Sequence, residues 1–363
     1  MSIACVELTG SHYEVGFRHG EQLSGLIRDT VLPLVESDSE INKLSQDTLK
    51  KIVDKYRAII ETQFPEIIEE TRGIADGAKI DFEKALLALI FWEVRDAALP
   101  GAMHECSSFV ATGDATADDE SIGSQNVDWP LPHPHPSTAV LFKVQPESSY
   151  KFIGIGRPGN LGRPSVIGFN SKGLGFVGSG IRQLDKPGFG IPPLMITRIG
   201  LEKCSTVDEF LELVGKVPRW AHSGENVDVF DKDGYVARVG FTTKRTITTY
   251  THNHFLASTN HYHNLEMRHI GPKDEKAYRS SFARYNRLVE LLTENYGKVN
   301  VETAMKIMSD HNYGSVPPEG ENSLCRHGEG IRTRNNMVLR PSEGKIWVSN
   351  GSPCEGGYSV FQI

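Results

Sequence analysis

Glu105-Cys106-Ser107-Ser108-Phe109-Val110-Ala111-Thr112 and, beginning fifteen residues after Cys106, Ser121-Ile122-Gly123-Ser124-Gln125-Asn126-Val127-Asp128-Trp129 are the segments whose reading decides the fold. The first has the composition of a strand, and the second reads as a turn leading into another. If the two pair as a hairpin, Cys106 opens one strand and Asp128 closes the other. A lone cysteine is usually a small buried hydrophobe. A cysteine brought beside a carboxylate at the end of a hairpin is a candidate for chemistry.

The chain changes character at this hairpin. Upstream, apolar residues recur at three-to-four spacing in Ile52, Tyr56, Ile59, Ile60 and Phe64, and again in Leu86, Leu87, Ile90 and Phe91, which predicts helices. Pro65 and Gly77 punctuate them, and Asp81 is the expected N-cap of a helix ending near Asp96, before Leu99-Pro-Gly101. Downstream, strand-like runs follow at 108–112, 139–144, 151–155 and 173–177, separated by glycine-rich turns. Thr206-Val-Asp-Glu209 has the pattern of a capping box and opens a predicted helix through Leu213, while Ser281 to Leu292 predicts another. Val227–Phe230 and Tyr235–Val239 flank an Asp-Lys-Asp-Gly turn, and Met337–Arg340 and Lys345–Val348 flank Pro-Ser-Glu-Gly, so two further hairpins are expected. Helices, then strands mixed with helices, then strands suggest stacked layers of sheet and helix in one domain, an α+β fold spanning 1–363.

Composition narrows the function. Of 363 residues, 39% are hydrophobic and 23% charged, the values of an ordinary globular chain. A net charge of −7 without a long Lys/Arg run argues against nucleic acid or an anionic membrane as partner, and in favour of small molecules. The longest apolar run, Ala85 to Trp92, is far too short to span a bilayer. The N-terminal residues lack the pattern of a secretory signal, and a cytoplasmic location is expected. The five cysteines (Cys5, Cys106, Cys204, Cys325 and Cys354) are scattered without a Cys-x-x-Cys pair, suggesting neither a disulfide framework nor a zinc cage. Histidines crowd at His252/His254, His261/His263 and His133/His135, but no carboxylate completes a familiar shell, so no metal and no cofactor are expected. Cys325 and Cys354 are read as structural.

The sequence resembles the acyl-coenzyme A:6-aminopenicillanic acid acyltransferase family of self-cleaving cysteine enzymes, and more distantly the choloylglycine hydrolases. The residues that carry the likeness run in order along the chain: Gly10-Ser-His-Tyr-Glu-Val-Gly16 with His19-Gly20, Glu105-Cys106-Ser-Ser-Phe, Gln125-Asn-Val-Asp128-Trp129, Gly168-Phe-Asn170-Ser-Lys-Gly-Leu174, Ser258-Thr-Asn260-His261, Ser323-Leu-Cys325-Arg-His327 and Gly351-Ser-Pro-Cys354. The resemblance implies a four-layer αββα sandwich of the N-terminal-nucleophile hydrolase type. It also implies self-cleavage between Glu105 and Cys106, giving an α chain of residues 1–105 and a β chain of residues 106–363 that stay associated, with further homo-oligomerisation left open. The penicillin-forming members carry glycine before the cysteine, where this chain has Glu105.

That chemistry has a physical logic. A thiol of pKa about 8.5 is only partly ionised at neutral pH and needs a base nearby. After cleavage, the new α-amino group of Cys106, with a reference pKa of about 7.7 to 8.0, is such a base. The resemblance assigns Asp128 to holding the Cys106 terminus. It assigns Asn170 and Asn260 to the oxyanion hole, and Arg284 to a substrate carboxylate or to support of Asp128. Gln125 stands where the bile-salt hydrolases have an arginine. The Pro-rich stretch at 130–136 is expected to wall the pocket. Cys106, Asp128 and Asn260 are thus the expected catalytic residues and Asn170, Arg284 and Gln125 the expected substrate-binding ones, acting on a small acyl amide or acyl thioester through an acyl-Cys106 thioester. Hydrolysis of an N-acyl amide is the favoured reading. The alternatives are acyl-CoA-dependent N-acyl transfer and a non-catalytic binding protein on the same fold. A papain-like protease lacks its flanking signature and an assignable histidine.

Overall fold

The computed structural model describes all residues except 1–2, 99–104, 131–138, 160–166, 183–187, 220–222, 243, 272–274, 313–321 and 329. The expected pocket wall at 130–136 falls almost entirely outside the described residues. In chain order the elements begin with β1 (Ala4–Gly10), α1 (His12–Gln22), α2 (Ser24–Leu26), α3 (Leu32–Glu36), α4 (Gln46–Gln63), α5 (Pro65–Ala78), α6 (Phe82–Leu89) and α7 (Phe91–Ala98). There follow β2 (Glu105–Gly113), β3 (Asp119–Pro130), β4 (Val140–Pro146), β5 (Phe152–Gly156), β6 (Gly168–Asn170), β7 (Gly175–Arg182), α8 (Pro193–Lys203) and α9 (Val207–Lys216). The remainder comprises β8 (Ser223–Phe230), β9 (Tyr235–Phe241), β10 (Thr246–His252), β11 (Phe255–Ser258), α10 (Leu265–Arg268), α11 (Glu275–Glu294), α12 (Val301–Met308), β12 (Ile331–Arg340), β13 (Lys345–Ser349) and β14 (Tyr358–Gln362).

Two sheets result. One has eight strands in the order β1-β4-β5-β6-β7-β8-β9-β10, the other six in the order β11-β2-β3-β12-β13-β14. Period-two alternation decides what each face covers. Val140, Phe142 and Val144 of β4 join the helices α1, α4, α5, α6, α8 and α9 in one core. Leu141 of the same strand turns instead toward Val110, Met337 and Leu339, which form the layer between the sheets. On the far side, Phe109, Ala111 and Val338 pack against Leu288, Leu292, Ile307 and Met308 of α11 and α12. Helix, sheet, sheet and helix therefore stack as the expected αββα sandwich. Among the described residues, no helix is long and apolar enough to cross a membrane.

The β2–β3 hairpin forms with Glu105 opposite Asp128 and Cys106 opposite Val127. The later hairpins also form, β8 with β9 and β12 with β13. Thr206 caps α9 by accepting from the Glu209 amide, and the helix runs three residues beyond Leu213 to Lys216. Two expectations are corrected. The helical first third opens on a strand, since Ala4–Gly10 pairs in parallel with Val140–Pro146 and contributes only alternate residues, Val6 and Leu8, to the core. The helix expected from Asp81 to near Asp96 is two helices, because the chain leaves helical geometry at Ile90. Asp81 is the N-cap there, without a side-chain bond to the helix.

α1 lies against α5 through glycines spaced four apart on both, Gly16 and Gly20 against Gly73 and Gly77. A Cβ on Gly73 would stand 2.1 Å from the Tyr13 carbonyl oxygen, and one on Gly20 2.3 Å from that of Ile74. The two backbones touch where a side chain would otherwise be. Beside this contact the buried Arg198 of α8 pairs with Glu70 of α5 at 3.0 Å and with Glu202, which also meets His12 of α1 at 3.0 Å.

Candidate active site

Cys106 sits at the start of β2. Because Val110 faces the layer between the sheets while Phe109 and Ala111 face the helices, the alternation turns the Cys106 thiol between the sheets and Ser107 toward α11. Arg284, fully buried on α11, uses both consequences. Its Nη1 donates to the Cys106 carbonyl at 2.7 Å and to Ser107 Oγ at 2.8 Å, while its Nε donates to Ser280 Oγ at 3.2 Å. Its Nη2 donates to Asn260 Oδ1 at 2.9 Å. That same Oδ1 accepts the Cys106 backbone N–H at 3.0 Å, and Asn260 Nδ2 donates to the Gly180 carbonyl of β7 at 2.9 Å. A guanidinium can only donate and a carbonyl can only accept, so the amide's orientation is settled by its partners. Cys106 is thus gripped at its nitrogen and at its carbonyl oxygen.

Asp128 ends up buried beneath this point. Its Oδ1 accepts from Thr333 Oγ1 at 2.6 Å, and Arg326 Nη1 stands 3.7 Å from its Oδ2, which has no hydrogen-bond partner. Burial pushes its carboxyl up to about 6, against the opposing pull of Arg284 and the Thr333 hydrogen bond. Burial likewise pushes the Cys106 thiol up to about 12, with the Asp128 and Glu225 carboxylates acting in the same direction. Arg284 and a hydrogen bond with Gln125 pull it down. Burial and the neighbouring carboxylates thus favour the protonated thiol. Cys204 is also raised to about 12 by burial, so the pKa alone does not distinguish the two. The surroundings do.

Gln125, on β3, accepts the Gly178 amide of β7 through Oε1 at 2.8 Å and so ties the two sheets together beside the thiol. Glu225 of β8 lies opposite Gly180 in register, close enough to raise the thiol, and nothing in the sequence singled it out. Ser107, Ser280, Thr333 and Arg326 also escaped the sequence reading. The two serines lie one residue after Cys106 and four before Arg284, and that spacing was the available signal.

Two expected roles are rearranged. The resemblance gives the Cys106 terminus to Asp128, yet it is Asn260 Oδ1 that holds the Cys106 nitrogen. Arg284 is spoken for by the Cys106 carbonyl, Ser107, Ser280 and Asn260, which makes it a clamp on the strand and not a fork open to a substrate carboxylate. Asn170 is a correction. Both protons of its Nδ2 go to carbonyls at the end of α8, Leu201 at 2.9 Å and Cys204 at 2.7 Å. Its Oδ1 accepts the amides of Lys172 and Leu174. It caps the β6–β7 turn, about six residues along β7 from Gly180 or roughly 20 Å at strand rise, and has no donor left for an oxyanion.

The histidines resolve differently. His261 is buried on Ser281 Oγ at 2.8 Å, stacks on Phe282, and is pushed down to about 3 by burial. His263 stacks on Tyr285 and is also held neutral by burial. Neither lies on a strand, since β11 ends at Ser258. The expectation of no metal meets a contrary observation elsewhere: His311, Cys325, His327 and Cys354 bring their ligand atoms within 4.8 Å of one another.

A cysteine held at both its nitrogen and its carbonyl oxygen at the start of a strand, in an αββα sandwich of α+β class, is the arrangement the fold and site define. The chain belongs to the acyl-coenzyme A:6-aminopenicillanic acid acyl-transferase family, whose pattern matches residues 115–354. Asp128, Asn260 and Arg284 fall within the match, and Cys106 lies nine residues before it. An uncharacterized protein of Archaeoglobus fulgidus is 23% identical over 354 residues, covering 85% of this chain and 58% of that protein. The beta-alanyl-dopamine/carcinine hydrolase of Drosophila melanogaster is 32% identical over 88 residues, 22% of this chain and 20% of that one. The chain thus spans little more than half the length of the first relative and a fifth of the second. Among solved structures, penicillin V acylase from Agrobacterium tumefaciens is similar at 14% identity and a TM-score of 0.45, covering 67% of this chain and 82% of that one. A mutant of the conjugated bile acid hydrolase from Clostridium perfringens is similar at 11% and 0.46, covering 71% and 92%.

Proposed function

We propose that this protein is a self-processing amidohydrolase that cleaves a small N-acyl amide through a thioester on Cys106. The observation that carries the proposal is the double grip on Cys106, with Asn260 on its nitrogen and Arg284 on its carbonyl oxygen. An ordinary strand residue hands both groups to a neighbouring strand. Here a side-chain amide takes the nitrogen that cleavage would turn into an α-amine, and Oδ1 can accept from it in either state.

In processing, the Cys106 sulfur attacks the Glu105 carbonyl carbon. The C–N bond breaks, the nitrogen takes up the thiol's proton, and water then opens the Glu105 thioester to a carboxylate and a free thiol. The base for this step is Asp128, a carboxyl of the site raised to about 6 by its burial. In the cut enzyme the α-amine itself lies beside the thiol and accepts its proton, and the resulting cation lowers the thiol pKa that burial raises. The second cycle repeats the first on an external amide, releasing the amine and then the acid. Asn260 Nδ2 remains our candidate donor to the oxyanion, and Gln125 our candidate for the leaving-group side. The Drosophila relative is named for hydrolysis of an acyl-amine conjugate, which favours water as the acceptor over the amine that the family's own name implies.

Turnover of a panel of N-acyl amides by the processed protein, with acid and amine released in equal amounts, is the expected result. Amine-dependent acyl exchange without hydrolysis would favour the transferase alternative. Failure of every acyl donor to label Cys106 would leave the binding-protein reading.

A further inference from the structure

Three chain segments far apart in sequence converge on one spot outside the cysteine site. His311 follows α12, Cys325 and His327 precede β12, and Cys354 lies in the single 3-10 turn Pro353–Glu355 between β13 and β14. The sulfurs of Cys325 and Cys354 are 3.4 Å apart, and His327 Nε2 is 3.4 Å from the first and 3.1 Å from the second. The His311 ring lies against that of His327, with centroids 5.2 Å apart, and its ligand nitrogen falls within the same 4.8 Å cluster. We propose that His311, Cys325, His327 and Cys354 form a tetrahedral Cys2His2 site for a zinc-class divalent cation.

The donor set and the distances carry this. Two thiolates and two imidazoles are the ligands of structural zinc, and hard cations such as magnesium and calcium take oxygen instead. With Zn–S about 2.3 Å and Zn–N about 2.05 Å, the edges of a tetrahedron are roughly 3.5 to 3.8 Å. The three donor pairs given above lie within about half an ångström of that. Four side chains that meet by chance on a surface are not held from behind, and these are. The Cys325 amide donates to the Asp310 carbonyl at 3.0 Å, and the Asp310 carboxylate is held by Arg287 at 3.1 and 2.8 Å, which fixes the residue before His311. Ser323 Oγ donates to the Cys325 carbonyl, and His327 bridges to Arg332, whose Nε donates to Ser352 Oγ. Such outer partners set the angle at which ligands present themselves.

The other cluster of ligand-type residues does not compete. His12, Glu70 and Glu202 also converge, but the Arg198 guanidinium lies on both carboxylates and supplies the positive charge itself. The Cys2His2 site would staple the α12 exit, the approach to β12 and the β13–β14 connection. It adjoins the cysteine site through Arg326, which lies between Cys325 and His327 and faces Asp128.

The test uses the whole protein, reduced and stripped of metal by a chelator, then titrated with zinc(II) or cobalt(II) chloride. We expect one equivalent to bind, with cobalt giving thiolate charge-transfer absorption and the intense ligand-field bands of a tetrahedral centre. Both are lost in Cys354→Ser and in His327→Ala and kept in His12→Ala. Should the variants fail to fold, the wild-type protein still decides: zinc must protect the exposed Cys354 from alkylation while the exposed Cys5 continues to react. Unchanged alkylation of Cys354 on adding zinc, a cobalt spectrum that survives Cys354→Ser, or a Cys325–Cys354 disulfide with no metal uptake after reduction would overturn the proposal.

Discussion

The roles proposed for Asp128 and Asn260 on the same cysteine differ, and single substitutions separate them. Burial raises the Asp128 carboxyl to about 6, so with the ionised form as the base the first-order rate of self-cleavage should rise with pH through about 6 and then level. Asp128→Asn should slow self-cleavage and abolish that limb; a variant that keeps it would place the titration elsewhere. The same shift has a stability sign. The native state holds this proton more tightly than the unfolded chain, so between about pH 4 and 6 stability falls as pH rises. An acid group with that effect is a poor structural choice, which supports a chemical role. Asn260→Ala removes the acceptor on the Cys106 nitrogen and should lower kcat on processed material by about 10² or more with KM little changed. Cys106→Ala should end both reactions and Cys204→Ala neither, as acyl release and chain length on gels would show. At this scale the sequence was informative where a hairpin register determines proximity, as for Cys106 and Asp128. It misled at Asn170, whose Asn-Ser-Lys-Gly setting is that of a turn cap and gives no hint of what lies roughly 20 Å farther along the neighbouring strand. Arg284 was found, but not the direction of its guanidinium, because that depends on which face of β2 meets α11.

The elements that position the site depend on close contact as much as on apolar pattern. The α1–α5 contact is made by backbone on backbone, so Gly73→Ala should cost about 1 to 3 kcal/mol through overpacking against Tyr13. Gly215 on α9 has nothing within 4 Å of an added Cβ, and Gly215→Ala should be neutral or stabilising by up to about 1 kcal/mol. Thermal unfolding of the pair checks this, and equal melting temperatures would mean that α1 and α5 can separate freely. Helices with long periodic faces, such as α4 and α11, were plain in the sequence. β1 was not, because it is a seven-residue strand whose pairing with β4 lies more than 130 residues away and whose composition is mixed. The break at Ile90 was hidden as well, since both α6 and α7 continue the same apolar spacing.

Over the whole molecule, the segment before Cys106 is woven into the part after it. β1 forms the edge of the eight-stranded sheet beside β4, and α1, α4, α5 and α6 share one core with β4, β5, β7, β8 and β9. Two pieces made by cleavage before Cys106 should therefore co-elute under native conditions and part only in denaturant. The layered architecture was legible from the order of helix-like and strand-like segments, whereas the meeting of His311, Cys325, His327 and Cys354 was not, because three separate turns must close before those four approach. The central claim is that Cys106 becomes an N-terminal nucleophile, and intact-mass measurement of the purified wild-type protein beside Cys106→Ala tests it most directly. The account predicts two masses for the wild type, residues 1–105 and a fragment beginning Cys106-Ser-Ser-Phe, and one uncut mass for the variant. A wild-type protein that is full-length, stable and active on amides as a single chain would contradict it.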